Sequence, residues 1–418
     1  MGNTSSTADP VEAAVTLLDA CLRGEPCSAE LLKSLAGAAA DDPQASRALF
    51  GILVEGLSDR FEPRFCDAYA ALFSEVIASV LPQWSAADLL ARYQRVRRPR
   101  RFEGRTGPVR SVFVLSRVTL GADVAVTSLV LDAAKRRFPQ AQVFLVGGKK
   151  SWELFSADPR IQHLPLAYGR SGTLRERLQV QPQLQAVVAP VAGLVIDPDS
   201  RLTQLGLLPV CPEEDYFFFE SRSYANDTDA SLTELTRRWL AETFGIQDAQ
   251  PYIAPAERIE LADRRIVSVS LGVGENPAKR IPDPFEEELL RHLVLRYPAV
   301  LVDTGPGGEE AERVERAILR SGAPARQVRT WHGSFAAFAS MIAQTRLYLG
   351  YDSAGQHVAA ACGVPLLTVF AGFASPRMLA RWRPTGSGPL EVVRADPPDP
   401  DLVLSRTLEA LERLAVAA

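Results

Sequence analysis

Asp352 and Ser353 stand together in the stretch YDSAGQHVAAACGVP, with the small residues Ala354 and Gly355 behind them and His357 one helical turn from the acid. The apolar run RLYLGY precedes them and a small-residue helical pattern follows. The acid and the hydroxyl therefore fall where a strand passes into a helix. Free amides and the dipole at a helix start attract an anion, and Ala354 and Gly355 leave room for a phosphate to reach them. Asp352 would repel a phosphate but suits the hydroxyls of a sugar carried by one. His357 can donate a hydrogen bond to either group. A plainer reading has Asp352 or Ser353 capping the helix and His357 as an ordinary core or surface histidine.

Other loops offer complementary chemistry. Lys279 and Arg280, in LGVGENPAKRIPDPF, could neutralise a diphosphate, one as a point charge and one through its fork. The loop is not a phosphate-binding Walker loop, since no second glycine precedes the lysine and no Ser or Thr follows it. A solvated surface pair is the simpler alternative. Glu309 and Glu310 follow the glycines of TGPGGEEAERVERA and either favour the helix dipole or reach a ligand hydroxyl. Asp123, in SRVTLGADVAVTS, lies at the start of a helix, where an ionised carboxylate can take a proton from an attacking hydroxyl. Two D-x-D pairs, Asp197 with Asp199 and Asp227 with Asp229, sit in turn-forming surroundings that explain their acids without a metal.

These residues need elements to hold them. From about Pro10 to Arg95, segments such as VEAAVTLLDACL and FCDAYAALFSEVIASVL carry apolar residues at three- and four-residue spacing, which predicts a small helical bundle. RVRRPRRFEGR then reads as a solvated basic connector. From Val109, VRSVFVLS and AQVFLVGG flank a helical pattern, and LQAVVAPVAGLVI reads as one or two further buried strands. A second alternating series begins near Arg264, where Asp283, Pro284 and Glu286 have the spacing of a capping box. Strand, helix, strand units of this length imply parallel pairs with right-handed crossovers, and so two doubly wound sheets. In such sheets ligands bind beyond the carboxyl ends of the strands.

The 418 residues allow two or three domains, and 47% apolar with 23% charged residues is ordinary for a soluble protein. A net charge of −4 gives no reason to expect nucleic acid. No apolar run reaches the roughly 20 residues of a membrane span. MGNTSS fits a myristoylation pattern but reads more simply as a polar start, and no signal peptide is visible. The five cysteines, Cys21, Cys27, Cys66, Cys211 and Cys362, form no C-x-x-C pair. They indicate neither a zinc site nor a disulfide framework, and favour a reducing, cytoplasmic setting.

Four segments in order resemble glycosyltransferase family 9, the ADP-heptose heptosyltransferases. They are SRVTLGADVAVTSLVLDAAKRRFPQAQVFLVG, GVGENPAKRIPDPF, DTGPGGEEAERVERAI and YDSAGQHVAAACGVPLLTVFAG, spread over Val109 to Arg383. The resemblance implies a GT-B fold of two Rossmann-like domains facing a cleft, with the donor held mostly on the second. It also implies inversion at the anomeric carbon without a metal. By the same likeness Asp123 matches the catalytic base, Lys279 the phosphate- or acceptor-facing lysine, and Asp352 the acid that holds the donor sugar. Ser353 with its neighbours matches the pyrophosphate loop, His357 the motif histidine, and Glu309 or Glu310 the donor-sugar glutamate. The chain departs from the family pattern in several places. Gly121-Ala122-Asp123 has one residue more than the usual Gly-Asp turn. Tyr351 replaces Asn, Ala354-Gly355-Gln356 replaces Gly-Pro-Met, and Ile281 stands where Trp is usual. Protein-modifying members bind iron through cysteines, which the scattered cysteines here do not match.

The expected organisation is an α/β GT-B protein. It comprises a helical module and basic linker over 1–105, an acceptor domain over 106–258 and a donor nucleotide-sugar domain over 259–418. Its last helix would pack back on the first domain. The expected activity is sugar transfer, ADP-heptose first among donors and UDP- or GDP-sugars behind it. The acceptor would be a protein, peptide or saccharide, recruited in the protein case by the helical module. No cofactor beyond the nucleotide-sugar co-substrate is expected, and an oligomer is compatible with the sequence. A silent nucleotide-sugar sensor or scaffold and a sugar-nucleotide epimerase are the alternatives.

Overall fold

The computed structural model describes residues 9–417 apart from 105–106, 190, 192, 226–228, 275 and 306. MGNTSS and Asp227 therefore lie outside the described residues.

The first strand, β1 (Ser111–Leu115), is buried along its whole length. Val112 and Val114 join one apolar cluster, while Phe113 and Leu115 join another. This is the period-two alternation of a strand covered on both faces. β2 (Gln142–Gly147), β3 (Ile161–Pro165), β4 (Leu194–Asp197) and β5 (Tyr216–Phe218) complete a parallel sheet in the order β3-β2-β1-β4-β5. A second parallel sheet contains β6 (Val267–Ser270), β7 (Val300–Asp303), β8 (Val328–Trp331), β9 (Leu347–Tyr351), β10 (Leu366–Phe370) and β11 (Leu390–Arg394). Its order is β11-β10-β9-β6-β7-β8. The side on which successive strands are added changes between β1 and β4 in one sheet and between β6 and β9 in the other, while every strand stays parallel, so each sheet has a switch point where ligands are expected.

The helical module forms as its periodicity predicts, with helices Pro10–Arg23, Ala29–Asp41, Pro63–Val80 and Ala86–Val96 and a continuous helical stretch over 43–58. It is not a separate body. Its apolar residues, Leu49, Phe65 and Phe73 among them, belong to the same buried cluster as Phe113 and Leu115 of the first sheet. Tyr69 Oη donates to Gln204 O at 2.9 Å and Arg92 Nη1 to Gly206 O at 2.6 Å. The basic connector is exposed over residues 98–101 and 103–104, as expected of a solvated segment, but it is fastened to the first half at two points. Arg100 donates to the carbonyls of Glu213, Glu214 and Tyr216 and lies 4.1 Å above the Phe217 ring. Phe102 packs against Phe138, Phe217 and Phe244.

Three other expectations change. LQAVV closes a helix, Val180–Val188, so only LVI of that segment enters a strand. The helix Phe285–Arg296 has Pro284 at its N-cap with no side-chain cap, because Asp283 pairs with Arg280 and Glu286 is buried against Arg313 and Arg280. The final helix, Pro400–Ala417, packs on β10, β11 and Phe285–Arg296 of the second half rather than on the first. Cys21 and Cys27, scattered in sequence, bring their sulfurs to 3.1 Å as free thiols. Burial pushes the Cys21 thiol up to about 12. No helix among the described residues is long and apolar enough to cross a membrane.

Candidate active site

β9 ends at Tyr351 and the helix Ala354–Ala361 follows, so Asp352 and Ser353 occupy the β6/β9 switch point. Lys279 reaches the same point from the loop after β6. Its Nζ donates to Asp352 Oδ2 at 2.7 Å and to Asp352 O at 3.1 Å. Gln356 Nε2 donates to Asp352 Oδ1 at 2.5 Å and also lies 3.3 Å from His357 Nε2. Lys279, Asp352, Gln356 and His357 thus form one connected cluster. Gln356 was not singled out by sequence reasoning, although its place one turn after Asp352 puts it on the same helix face.

Burial pushes the His357 imidazole down to about 4, with Lys279 opposing its charge and Asp352 favouring it. A neutral ring at pH 7 recognises a ligand by hydrogen bonding and brings no charge. Ser353 takes the N-cap position but makes no capping bond; its Oγ pairs with Tyr348 Oη at 3.2 Å. Neither expected cap therefore forms. Gly355 is needed for a different reason from the expected anion approach, since a Cβ there would fall 2.4 Å from Tyr348 Oη. Ala354 faces the other half: a Cβ on Gly121 would stand 3.3 Å from its Cα and 3.2 Å from His357 Cδ2.

Arg280 does not join Lys279. Its guanidinium turns to Asp283 and Glu286. Glu310 is a loop pin, accepting from Val273 N at 2.8 Å and Gly274 N at 3.1 Å, whereas Glu309 is exposed. Tyr351 donates to Glu286 Oε1 at 3.0 Å and accepts from Ile281 N at 3.3 Å. This ties two of the unusual positions, Tyr351 and Ile281, into one buried lock.

On the first half, Asp123 is fully buried. Its carboxylate accepts from Ser151 Oγ at 2.6 Å, Thr127 Oγ1 at 2.7 Å, Ser116 Oγ at 2.8 Å and Arg117 N at 2.8 Å. Burial raises its pKa and the four donors oppose the rise. In this geometry the residue expected as a base at the cleft holds the turn after β1 together. The acids after β4 diverge. Asp197 is enclosed by Ser200, Thr203 and Tyr216, and burial pushes it up to about 6. Asp199 lines a cavity beside Arg117. Trp382, also missed in the sequence, joins the parts of the molecule. Its ring lies 5.8 Å from His357, 6.2 Å from Phe61 of the helical module and 5.8 Å from the Arg117 guanidinium. Among the described residues no group of His, Cys, Asp and Glu side chains is arranged to hold a metal ion.

Comparison with known proteins agrees with this architecture. Residues 225–387 match the model of glycosyltransferase family 9 (heptosyltransferase), a segment that includes Lys279, Asp352 and His357. No curated protein sequence matches the chain. A glycosyl transferase family 9 structure from Veillonella parvula superposes with a TM-score of 0.56 at 15% identity, covering 74% of this chain and 98% of that one. The Escherichia coli heptosyltransferase WaaC solved with ADP gives 0.51 at 16% identity, covering 72% and 99%. A UDP-N-acetylglucosamine 2-epimerase, a putative one from Listeria monocytogenes, fits less well, with a TM-score of 0.42 at 16% identity, covering 75% and 92%. The two facing parallel sheets are the GT-B arrangement.

Proposed function

We propose that this chain, whose residues 225–387 carry a glycosyltransferase family 9 domain, transfers a sugar with inversion from a nucleotide-diphosphate donor, ADP-heptose first, to an acceptor hydroxyl. The observation that carries the reading is the Lys279–Asp352 pair at the β6/β9 switch point, directly before a helix start. Lys279 would exchange part of its contact with Asp352 for the diphosphate, opposing the charge that grows there as the anomeric bond breaks. Asp352, steadied by Gln356, would accept hydrogen bonds from the donor sugar. The neutral His357 would contribute a hydrogen bond without adding charge. Preorganised groups of this kind supply most of their effect in the transition state.

Asp123 supports the reaction from behind, fixing the turn that meets Ala354 and His357. The test is calorimetry with ADP-heptose and turnover on wild type, Lys279→Gln and Asp352→Asn. Donor affinity is expected to fall at least ~10-fold in both variants, about 1.4 kcal/mol or more. Unchanged affinity would remove the site, and tight donor binding without transfer or hydrolysis would favour a sensor.

A further inference from the structure

Gln356 is buried near the start of the helix Ala354–Ala361, between two groups of the switch-point cluster. It stands where the pattern of glycosyltransferase family 9 has Met, a side chain with no hydrogen to donate. A primary amide nitrogen carries two N–H groups and accepts nothing. Asp352 settles which way this amide points. Its Oδ2 is ion-paired with Lys279, and its Oδ1 lies 2.5 Å from Gln356 Nε2. The reversed amide would set Oε1 against that carboxylate oxygen, two acceptors with no proton between them.

The second N–H of the amide has two neighbours. His357 Nε2 lies at 3.3 Å and the Trp382 carbonyl oxygen at 3.5 Å. The histidine nitrogen is the nearer. Facing a nitrogen that only donates, it must be the acceptor and so carries no proton. A neutral imidazole with a bare Nε2 holds its proton on Nδ1. Burial keeps the ring neutral, with Asp352 favouring its charge and Lys279 opposing it. Cδ2, bonded to Nε2, lies 3.2 Å from the place of a Cβ on Gly121. The Nδ1 edge is therefore the one turned away from both Gln356 and Gly121.

We infer that Gln356 is a positioning residue: one N–H of its amide holds the Asp352 carboxylate and the other fixes His357 as the Nδ1-protonated tautomer. The imidazole then offers a sugar nucleotide a single hydrogen, at Nδ1. It serves an oxygen that has no hydrogen of its own, such as a diphosphate or sugar-ring oxygen, and leaves the hydroxyls to Asp352. One amide thus divides the two kinds of ligand oxygen between two side chains. The tautomer stands on this geometry alone; its use on a sugar nucleotide rests on the transferase reading.

The test is nitrogen NMR of the full chain, isotopically labelled at histidine, at pH 7 and without nucleotide. Of the four histidines, His357 is the one whose signals vanish in His357→Gln. A protonated Nδ1 and a bare Nε2 are expected in wild type. In Gln356→Met, which is close in volume, the proton should redistribute toward Nε2, a change that a merely structural role would not produce. Calorimetry with ADP-heptose should show binding at least ~10-fold weaker in Gln356→Met. A wild-type ring protonated at Nε2, or at both nitrogens, overturns the assignment and needs no variant to fold. An unchanged tautomer in Gln356→Met removes Gln356 as its cause, and equal affinity in the two proteins overturns its part in binding. Wild type with the expected spectrum but no affinity for ADP-heptose sinks the transferase reading and leaves the positioning of His357.

Discussion

Lys279 and Asp352 neutralise one another, so any diphosphate must share an ammonium already engaged. His357, beside them, ties that arrangement to pH. Its folded pKa of about 4 lies below the ordinary value near 6.5. Between those values the unfolded chain binds a proton that the folded chain refuses, so acidification destabilises the fold through this residue. Asp197, raised to about 6, works in the opposite sense: the stability tied to its protonated form is present at low pH and lost as pH rises through 6. A comparison with His357→Gln cancels that contribution. Urea unfolding at pH 7 and pH 5 should show wild type losing about 2 kcal/mol more than the variant. Parallel losses would mean that the ring is not held neutral. Asp123→Asn should likewise cost stability, about 1–3 kcal/mol by the same denaturation, since each carboxylate oxygen serves two donors and an amide nitrogen in place of Oδ2 faces the hydroxyls of Ser116 and Ser151. Unaltered stability with lost turnover would restore Asp123 as a base.

At the scale of elements, the helix Ala354–Ala361 is placed by two glycine contacts, Gly355 under Tyr348 and Gly121 against Ala354. Gly355→Ala should force the buried Tyr348 ring aside and cost about 1–3 kcal/mol as overpacking, measured by thermal or chemical unfolding; a neutral substitution would show that the ring moves freely. The inner strands and the long helices of the module and of the second half were legible from periodicity, whereas Val180–Val188, read as strand, and Leu232–Phe244 of the first half were not. The four strands that were not, β3, β5, β8 and β11, are the edges of the two sheets. β3, β8 and β11 are partly exposed, so no continuous apolar run marks them, and β5 has only three residues. Within the site, Lys279, Asp352 and His357 were legible because strand-to-helix loops concentrate at one sheet edge. The partition of the other charges was not. Whether Arg280 meets a ligand or Asp283, and whether Glu310 faces outward or pins Val273, depends on side-chain directions that spacing does not encode.

At the scale of the molecule, the module and the first sheet share one core, so the expected three-part division misjudges where the chain can be cut. A variant lacking residues 1–100 would expose the face carrying Phe113, Leu115, Tyr216 and Phe218. At about 1.5–3 kcal/mol for each large apolar side chain uncovered, it should fail to unfold cooperatively and should aggregate, as seen by calorimetry and light scattering. A soluble, cooperatively folding truncation would show the module to be detachable. Point substitutions at Phe50 or Glu55 are therefore the sounder way to ask what the module does for acceptor choice.

Trp382 stands where the helical module, the turn after β1 and the helix behind Asp352 converge. An indole in contact with a guanidinium and an imidazole is an intrinsic optical probe, because its emission responds to nearby charge and to solvent. The cleft thus carries its own fluorophore. Trp382 is one of five tryptophans, so its share of the emission is the difference between wild type and Trp382→Phe, and a donor that alters the surroundings of Arg117 and His357 should change that difference.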